Sequence, residues 1–307
     1  MLTRIFATSK PLNFLWVSLL LFLSLSLDWF YTAGRGFGLM SLLEYAGILG
    51  LLIFSVLLVD FIVRKNDLSQ KNTFVVFFYG CLLSLLPFDE LGLVGIAAHV
   101  LVLMAFRRII ALQSLKTVKK KIFDAAFWIA IASFLWFAAG GMIVLVFLGI
   151  LIFDRQDYRN WLVPIFGIAT VFLIGFTAYW LIYDQTMSLN FWSDWKLDFS
   201  EWTALNTAWK ALFFFILSAV LLLTYWLSYR KIMLLRKRKP LLVALTAIVS
   251  WLVAFFVQPI QTGSLVFLMF PLAVMASRPC ESNAQRPITE LLLWLFLLLP
   301  FAARTVI

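Results

Sequence analysis

Apolar runs recur along this chain at a spacing that polar punctuation keeps short. They cover Pro11–Phe30, Leu42–Val63, Thr73–Pro87, Leu91–Phe106, Ile122–Phe137, Ala138–Phe153, Trp161–Tyr183, Trp209–Ser228, Leu241–Val257, Ser264–Ser277 and Ile288–Ala303. Several approach the 17 to 25 residues that a helix needs to cross a bilayer. No period-two alternation of a barrel strand accompanies them, and backbone groups in hydrocarbon must be satisfied within their own segment. The pattern therefore predicts an all-α, polytopic transmembrane bundle of about eleven spans, or ten. The pair within 122–153 is short on both sides, so it reads either as two full spans or as a re-entrant pair meeting at Ala138-Ala139-Gly140-Gly141.

The polar segments between the runs fix the direction of each. Arg107 to Lys121 carries six basic residues and no acid, and 230–239 carries six more. Short Lys- and Arg-rich loops stay on the cytoplasmic side. With Met1 cytoplasmic and eleven crossings, 21 of the 25 Lys and Arg residues fall inside; only Arg35, Lys196, Lys210 and Arg304 fall outside, and Ile307 ends there. The expected organisation is one integral-membrane domain over residues 1–307, with an outer interfacial segment at 184–208.

Composition agrees. Apolar residues make up 64% and charged residues 13%, against about 45 to 50% and about 25% in soluble domains. The net charge of +10 lies in short clusters beside apolar runs, which is the signature of retention at an anionic leaflet; nucleic acid is not an expected partner. The run after the basic head Met1 to Lys10 is long enough for a retained first span, and no small-x-small cleavage site follows it. Cys81 and Cys280 sit in different segments, and no CxxC or multi-histidine pattern exists, so no metal site is expected. No Walker motif, HExxH or GxSxG appears, and the cofactor question stays open.

Four segments carry a resemblance: Ser9 to Phe14 (SKPLNF), Lys71 to Phe74 (KNTF), Arg107 to Phe137 and Arg159 to Gly167 (RNWLVPIFG). They resemble an uncharacterised Bacteroidota family of multi-pass inner-membrane proteins, which implies a place in the cell envelope and no established activity. A more distant resemblance is to membrane glycosyltransferases that take sugars from polyprenyl-phosphate donors. Its ordered features are Asp28 after the first span, the Pro87-Phe88-Asp89-Glu90 turn, the basic stretch Arg107 to Lys121, and the small-residue span Ala125 to Ser133. The resemblance implies Asp89, Glu90 and Asp28 as catalytic candidates, an outward carboxylate being needed as general base for the acceptor hydroxyl. It also implies Arg107, Arg108, Lys119, Lys120 and Lys121 as lipid or phosphate contacts. The first outer loop is too short for the long outer helices such enzymes usually carry. As plain structure, Asp89 and Glu90 form a solvated turn, Asp28 is a boundary residue, and the basic stretch sets orientation.

Two further features carry chemistry. His99, the only histidine, lies mid-span, where an ionisable residue is a functional candidate by default. The competing reading is a neutral imidazole hydrogen-bonded to a neighbouring helix, with Ser84 or Ser133 as expected partners. Asp60, four residues before Arg64, is expected to pair along its own helix. In the outer segment Trp192, Trp195, Phe199 and Trp202 follow helical spacing, with Asp194, Asp198 and Glu201 on a neighbouring face. They form either an interfacial aromatic belt or a surface for sugar or a partner. The expectations are thus an inner-membrane protein with membrane lipids as partners, and two readings of function. One is a small glycosyltransferase-like enzyme on a polyprenyl-linked substrate; the other is a non-catalytic scaffold for an envelope or secretion assembly, with a transporter third.

Overall fold

The computed structural model describes residues 2–32, 38–183, 205–229, 238–256, 262–282 and 287–305. Twelve α-helices occur among them and no strand does: α1 (Leu2–Phe6), α2 (Pro11–Leu27), α3 (Leu39–Lys65), α4 (Phe74–Leu83), α5 (Phe88–Ile110), α6 (Val118–Leu135), α7 (Val144–Phe153), α8 (Val163–Tyr183), α9 (Leu205–Tyr229), α10 (Arg238–Phe256), α11 (Val266–Ser282) and α12 (Pro287–Thr305). Five stretches are long and apolar enough to cross a membrane: Pro11–Phe30, Leu39–Lys65, Leu91–Ser114, Tyr158–Ile182 and Arg238–Phe255. Phe74–Leu83, Phe137–Phe153, Leu212–Ser228 and Thr289–Ala302 are apolar but shorter.

Local chemistry explains the boundaries. Pro11 opens α2 at the position where a missing N–H is harmless. Arg64 and Lys65 occupy the last turn of α3, complementing its dipole, and Arg64 Nε donates to Asp60 Oδ1 at 2.7 Å, the expected i,i+4 pair. Within α5, Gly92 has φ +57° and ψ −174°, so the first turn is offset from the main body of the helix; only glycine adopts that geometry without strain. α6 ends where Trp136 turns extended, and residues 137–143 continue as a 3-10 helix into α7. The small residues at 138–141 thus form a 3-10 turn of helix instead of a tight reversal, and the chain returns to the end of the bundle it left.

The core is built around α4. All ten of its residues are buried, and so is nearly every residue from Leu265 to Ala276 in and before α11, which packs against it. α2 runs parallel to α4 in a constant register of sixty residues. Asn13 Nδ2 donates to Thr73 Oγ1 at 2.7 Å, Ser24 Oγ to the Ser84 carbonyl at 3.3 Å, and the Phe88 N–H to Asp28 Oδ2 at 3.1 Å. α5 packs on α6 and α3, and α6 in turn on α8. α8 and α9 keep most of their apolar side chains exposed, as suits lipid contact.

The basic segments gather at one end. The backbone N–H groups of Leu2 and Thr3 donate to Glu290 in the first turn of α12, at 2.7 and 3.1 Å, and the Thr3 hydroxyl adds a 2.6 Å bond. Thr73 N–H donates to the Phe6 carbonyl at 2.9 Å. The loop 66–72 is pinned from two further helices: Lys239 donates to the Asn66 carbonyl at 2.6 Å, and Glu281 accepts from Ser69 Oγ, from Gln70 N at 3.1 Å and from Asn72 Nδ2 at 3.3 Å. Arg278 donates to the Leu68 carbonyl and pairs with Glu281 at 3.2 Å. Chain start, loop 66–72 and the adjoining ends of α10, α11 and α12 are therefore one hydrogen-bonded layer.

Candidate functional site

The ionisable centre of the bundle is His99 on α5, 2% exposed. Its partner is neither of the two expected serines. Nε2 lies 2.8 Å from the hydroxyl of Tyr79 on α4, with the rings stacked at 6.1 Å, and Phe267 covers the imidazole from α11. Nδ1 has no hydrogen-bond partner. Ser133 instead bonds back to its own helix at Ala130, and Ser84 receives the Ser24 hydroxyl on its carbonyl. Nothing in sequence spacing singles out Tyr79, since a partner twenty residues away is fixed only by how α4 and α5 cross.

Of the three candidate acids, Asp28 is bonded to the backbone just ahead of the other two. Asp28 is 5% exposed at the end of α2, where the chain continues as a π-helix through Thr32. Its carboxylate accepts the first N–H of α5, so it satisfies one of the orphan donors that every helix N-terminus leaves. Asp89 and Glu90 follow directly in that first turn; their side chains lie outside the described residues. Gly95, one turn further on, admits the Trp136 ring so closely that an added Cβ would fall 1.7 Å from it.

The basic stretch divides into structural and available charges. Arg107 lies 4.9 Å over the Phe61 ring, a cation–π contact to α3. Arg108 pairs with Asp124 at 3.2 Å, and Lys121 donates to the Ala111 carbonyl at 2.9 Å and to Ser114 Oγ at 2.6 Å. Desolvation and the nearby charges of Arg108, Lys116 and Lys65 push the Lys121 pKa below its ordinary value. Lys119 and Lys120 are exposed and line a cleft of about 620 Å³ between the α5–α6 and α7–α8 connections. Leu115, Thr117, Val118, Asp154, Asp157 and Asn160 complete its walls. The last three were not legible as site residues, because they belong to a loop that reads as ordinary mixed polarity. Trp192, Trp195, Phe199 and Trp202 lie outside the described residues. Among the described residues no group of His, Cys, Asp and Glu side chains could hold a metal, and both cysteines are free and buried.

These features define a helical bundle of membrane-length apolar helices with one basic, hydrogen-bonded end and a single buried imidazole. The chain belongs to a family of unknown function, DUF6427, whose model matches residues 1–306. No characterised protein and no solved structure is significantly similar to it.

Proposed function

We propose that this chain is an integral protein of the bacterial inner membrane, with a cytoplasmic N-terminus and about eleven crossings. In this reading it acts at the outer face as a small glycosyltransferase-like enzyme on a polyprenyl-linked substrate. The observation that carries the reading is the bond from the Phe88 N–H to Asp28 at 3.1 Å, which joins the acid after the first long helix to the turn holding Asp89 and Glu90. Asp28 is then a positioning residue. Its buried carboxylate holds the start of α5, and a carboxylate of the following pair takes the proton of the acceptor hydroxyl as that oxygen attacks the sugar and the polyprenyl phosphate departs. The gathering of the basic segments at one end of the bundle supports the orientation.

A scaffold is the second reading, favoured by two observations: the Asp28 carboxylate is occupied by the fold, and α8 leaves most of its surface uncovered. Complementation of a deletion strain separates the two. The enzyme reading expects Asp89→Asn or Glu90→Gln to give a normally expressed protein that fails to complement, the loss of a general base typically lowering rate about 10² to 10⁴-fold. It is abandoned if Asp28→Asn, Asp89→Asn and Glu90→Gln all complement fully. The scaffold reading expects those three to be silent and Trp195→Ala with Trp202→Ala to release a co-purifying envelope protein.

A further inference from the structure

α3 reaches the basic end of the bundle with one face uncovered. Leu43, Phe54, Leu57 and Phe61 follow one another on that face at helical spacing and are all exposed, and at Gly50, on the same face, an added Cβ would meet nothing within 4 Å. Lys65 continues the stripe one turn beyond Phe61 and is exposed as well. From Phe54 to Lys65 the helix rises about 16 Å, the depth of one leaflet of a hydrocarbon core of about 30 Å. The stripe itself is what any lipid-facing helix shows, but its end is unusual. Phe61 holds two cations there, with Lys65 Nζ 5.2 Å and Arg107 Cζ 4.9 Å from its ring centroid. Arg107 comes from the last turn of α5, so one ring gathers charge from two helices. Lys121, from the start of α6, stands near enough that, after desolvation, it is the charges of Arg108, Lys116 and Lys65 that oppose its own. Two of its N–H groups donate to the Ala111 carbonyl and Ser114 Oγ, leaving the third.

The acids beside these cations are already engaged. Asp60 is held by Arg64 at 2.7 Å and Asp124 by Arg108 at 3.2 Å; among the described residues no carboxylate pairs with Lys65, Arg107 or Lys121. Three cations from three helices thus converge beside an exposed ring with no counter-anion, at the foot of an apolar stripe one leaflet deep. A soluble anion would satisfy the charges and leave the stripe bare, and an uncharged lipid would do the reverse. We infer that this place binds an anionic phospholipid, its phosphodiester among Lys65, Arg107 and Lys121 and an acyl chain along Phe61, Leu57 and Phe54. The planar guanidinium of Arg107 suits two phosphate oxygens at once. A zwitterionic headgroup would carry an ammonium into the same ring of cations, where no free carboxylate receives it, so phosphatidylglycerol is preferred to phosphatidylcholine. The inference is independent of the acid turn and of the direction in which the chain crosses; it needs only that α3 spans the membrane, as its length and hydropathy allow.

The test places the purified full-length chain in nanodiscs of equal parts phosphatidylglycerol and phosphatidylcholine with matched acyl chains, re-extracts it in mild detergent, and counts the lipid that stays bound by native mass spectrometry. Retained phosphatidylglycerol is expected to exceed phosphatidylcholine at least about fivefold, the worth of one Lys or Arg contact with an anionic lipid. Lys65→Gln with Arg107→Gln should bring the ratio close to unity. Lys119→Gln with Lys120→Gln removes as much charge from the same end of the bundle and should leave the ratio within about twofold of the unmodified chain. Phe61→Leu keeps every charge and an apolar side chain, yet should lower the ratio about twofold to fivefold because the ring no longer holds the cations together. Equal retention of the two lipids by the unmodified chain overturns the inference, and that comparison needs no variant to fold. An equal fall with both double variants overturns it too, since the diffuse field of a chain with net charge +10 would then account for the enrichment. Release of the retained lipid by millimolar inorganic phosphate also overturns it, because the site would then be one for a soluble anion.

Discussion

Tyr79→Phe removes one oxygen from the middle of the bundle, and its consequence can be worked through. Tyr79 is fully buried in α4, and among the described residues its hydroxyl is the only hydrogen-bond partner of His99, whose other nitrogen has none. Deleting the hydroxyl leaves an imidazole with both nitrogens unsatisfied against Phe267. An orphaned buried polar group costs about 1 to 3 kcal/mol, while interhelical hydrogen bonds inside membranes average about 0.6 with a maximum near 1.7 kcal/mol. The expected destabilisation is therefore on the order of 1 kcal/mol, measured by reversible unfolding in mixed micelles. His99→Leu alone should cost less, because Ser55 on α3 still interacts with the Tyr79 hydroxyl, and His99→Asn, which can still reach that hydroxyl, should cost less again. The double variant Tyr79→Phe with His99→Leu no longer leaves an unsatisfied imidazole, so it should be more stable than the sum of the singles implies. Additive losses across that cycle would refute a bond between α4 and α5 as the reason for the polar pair.

Three other perturbations follow from the packing. Glu281→Ala removes the acceptor of Ser69, Gln70 and Asn72 and the ion pair of Arg278, which keeps its bond to the Leu68 carbonyl; a loss of about 1 to 3 kcal/mol is expected, read as lower expression and a lower unfolding midpoint. Asp28→Ala strips the acceptor at the start of α5 and should cost about 1 kcal/mol, with Asp28→Asn nearer the native protein because its amide oxygen still accepts. Gly95→Leu drives a side chain into the Trp136 ring and should destabilise by about 1 to 3 kcal/mol, with a shift in tryptophan fluorescence that a surface substitution does not give.

Hydropathy made the helical class and most element positions legible, since each apolar run from Pro11 onward carries a helix in the described residues. The Asp60–Arg64 pair was legible too, because i,i+4 spacing needs no tertiary information. What sequence could not supply is how helices cross. Tyr79 meets His99, and Glu290 binds the backbone of Leu2 and Thr3, across separations that no local period encodes. The five-residue helix at 2–6 was read as a bare basic head for the same reason. Its orphan N–H groups are satisfied by a carboxylate from the far end of the chain, without which so short a helix would not persist. Hydropathy also overstated uniformity: a run such as 74–83 reads like its neighbours although all ten of its residues are buried inside the bundle.

That buried helix bears on the acid turn. Ten residues of α4 rise about 15 Å, half of a hydrocarbon core of about 30 Å. A lipid-facing helix of that length would force the bilayer to thin, but α4 is enclosed on all sides and carries no such constraint. Its start is tied at Thr73 to Phe6 and Asn13 in the basic layer. Because α2 and α4 keep the same register from Asn13 with Thr73 to Asp28 with Phe88, the acid turn lies fifteen α2 residues, about 22 Å, above that layer. With the basic layer at the inner face, as proposed, it ends several ångströms short of the opposite face of a core of about 30 Å. A turn built only to be solvated would gain from reaching the interface, and lengthening α4 by one helical turn would have carried it there. On the proposed topology the backbone of Asp89 and Glu90 is thus set below the outer face, which is the depth the proposed enzyme would require of a base acting beside a polyprenyl phosphate.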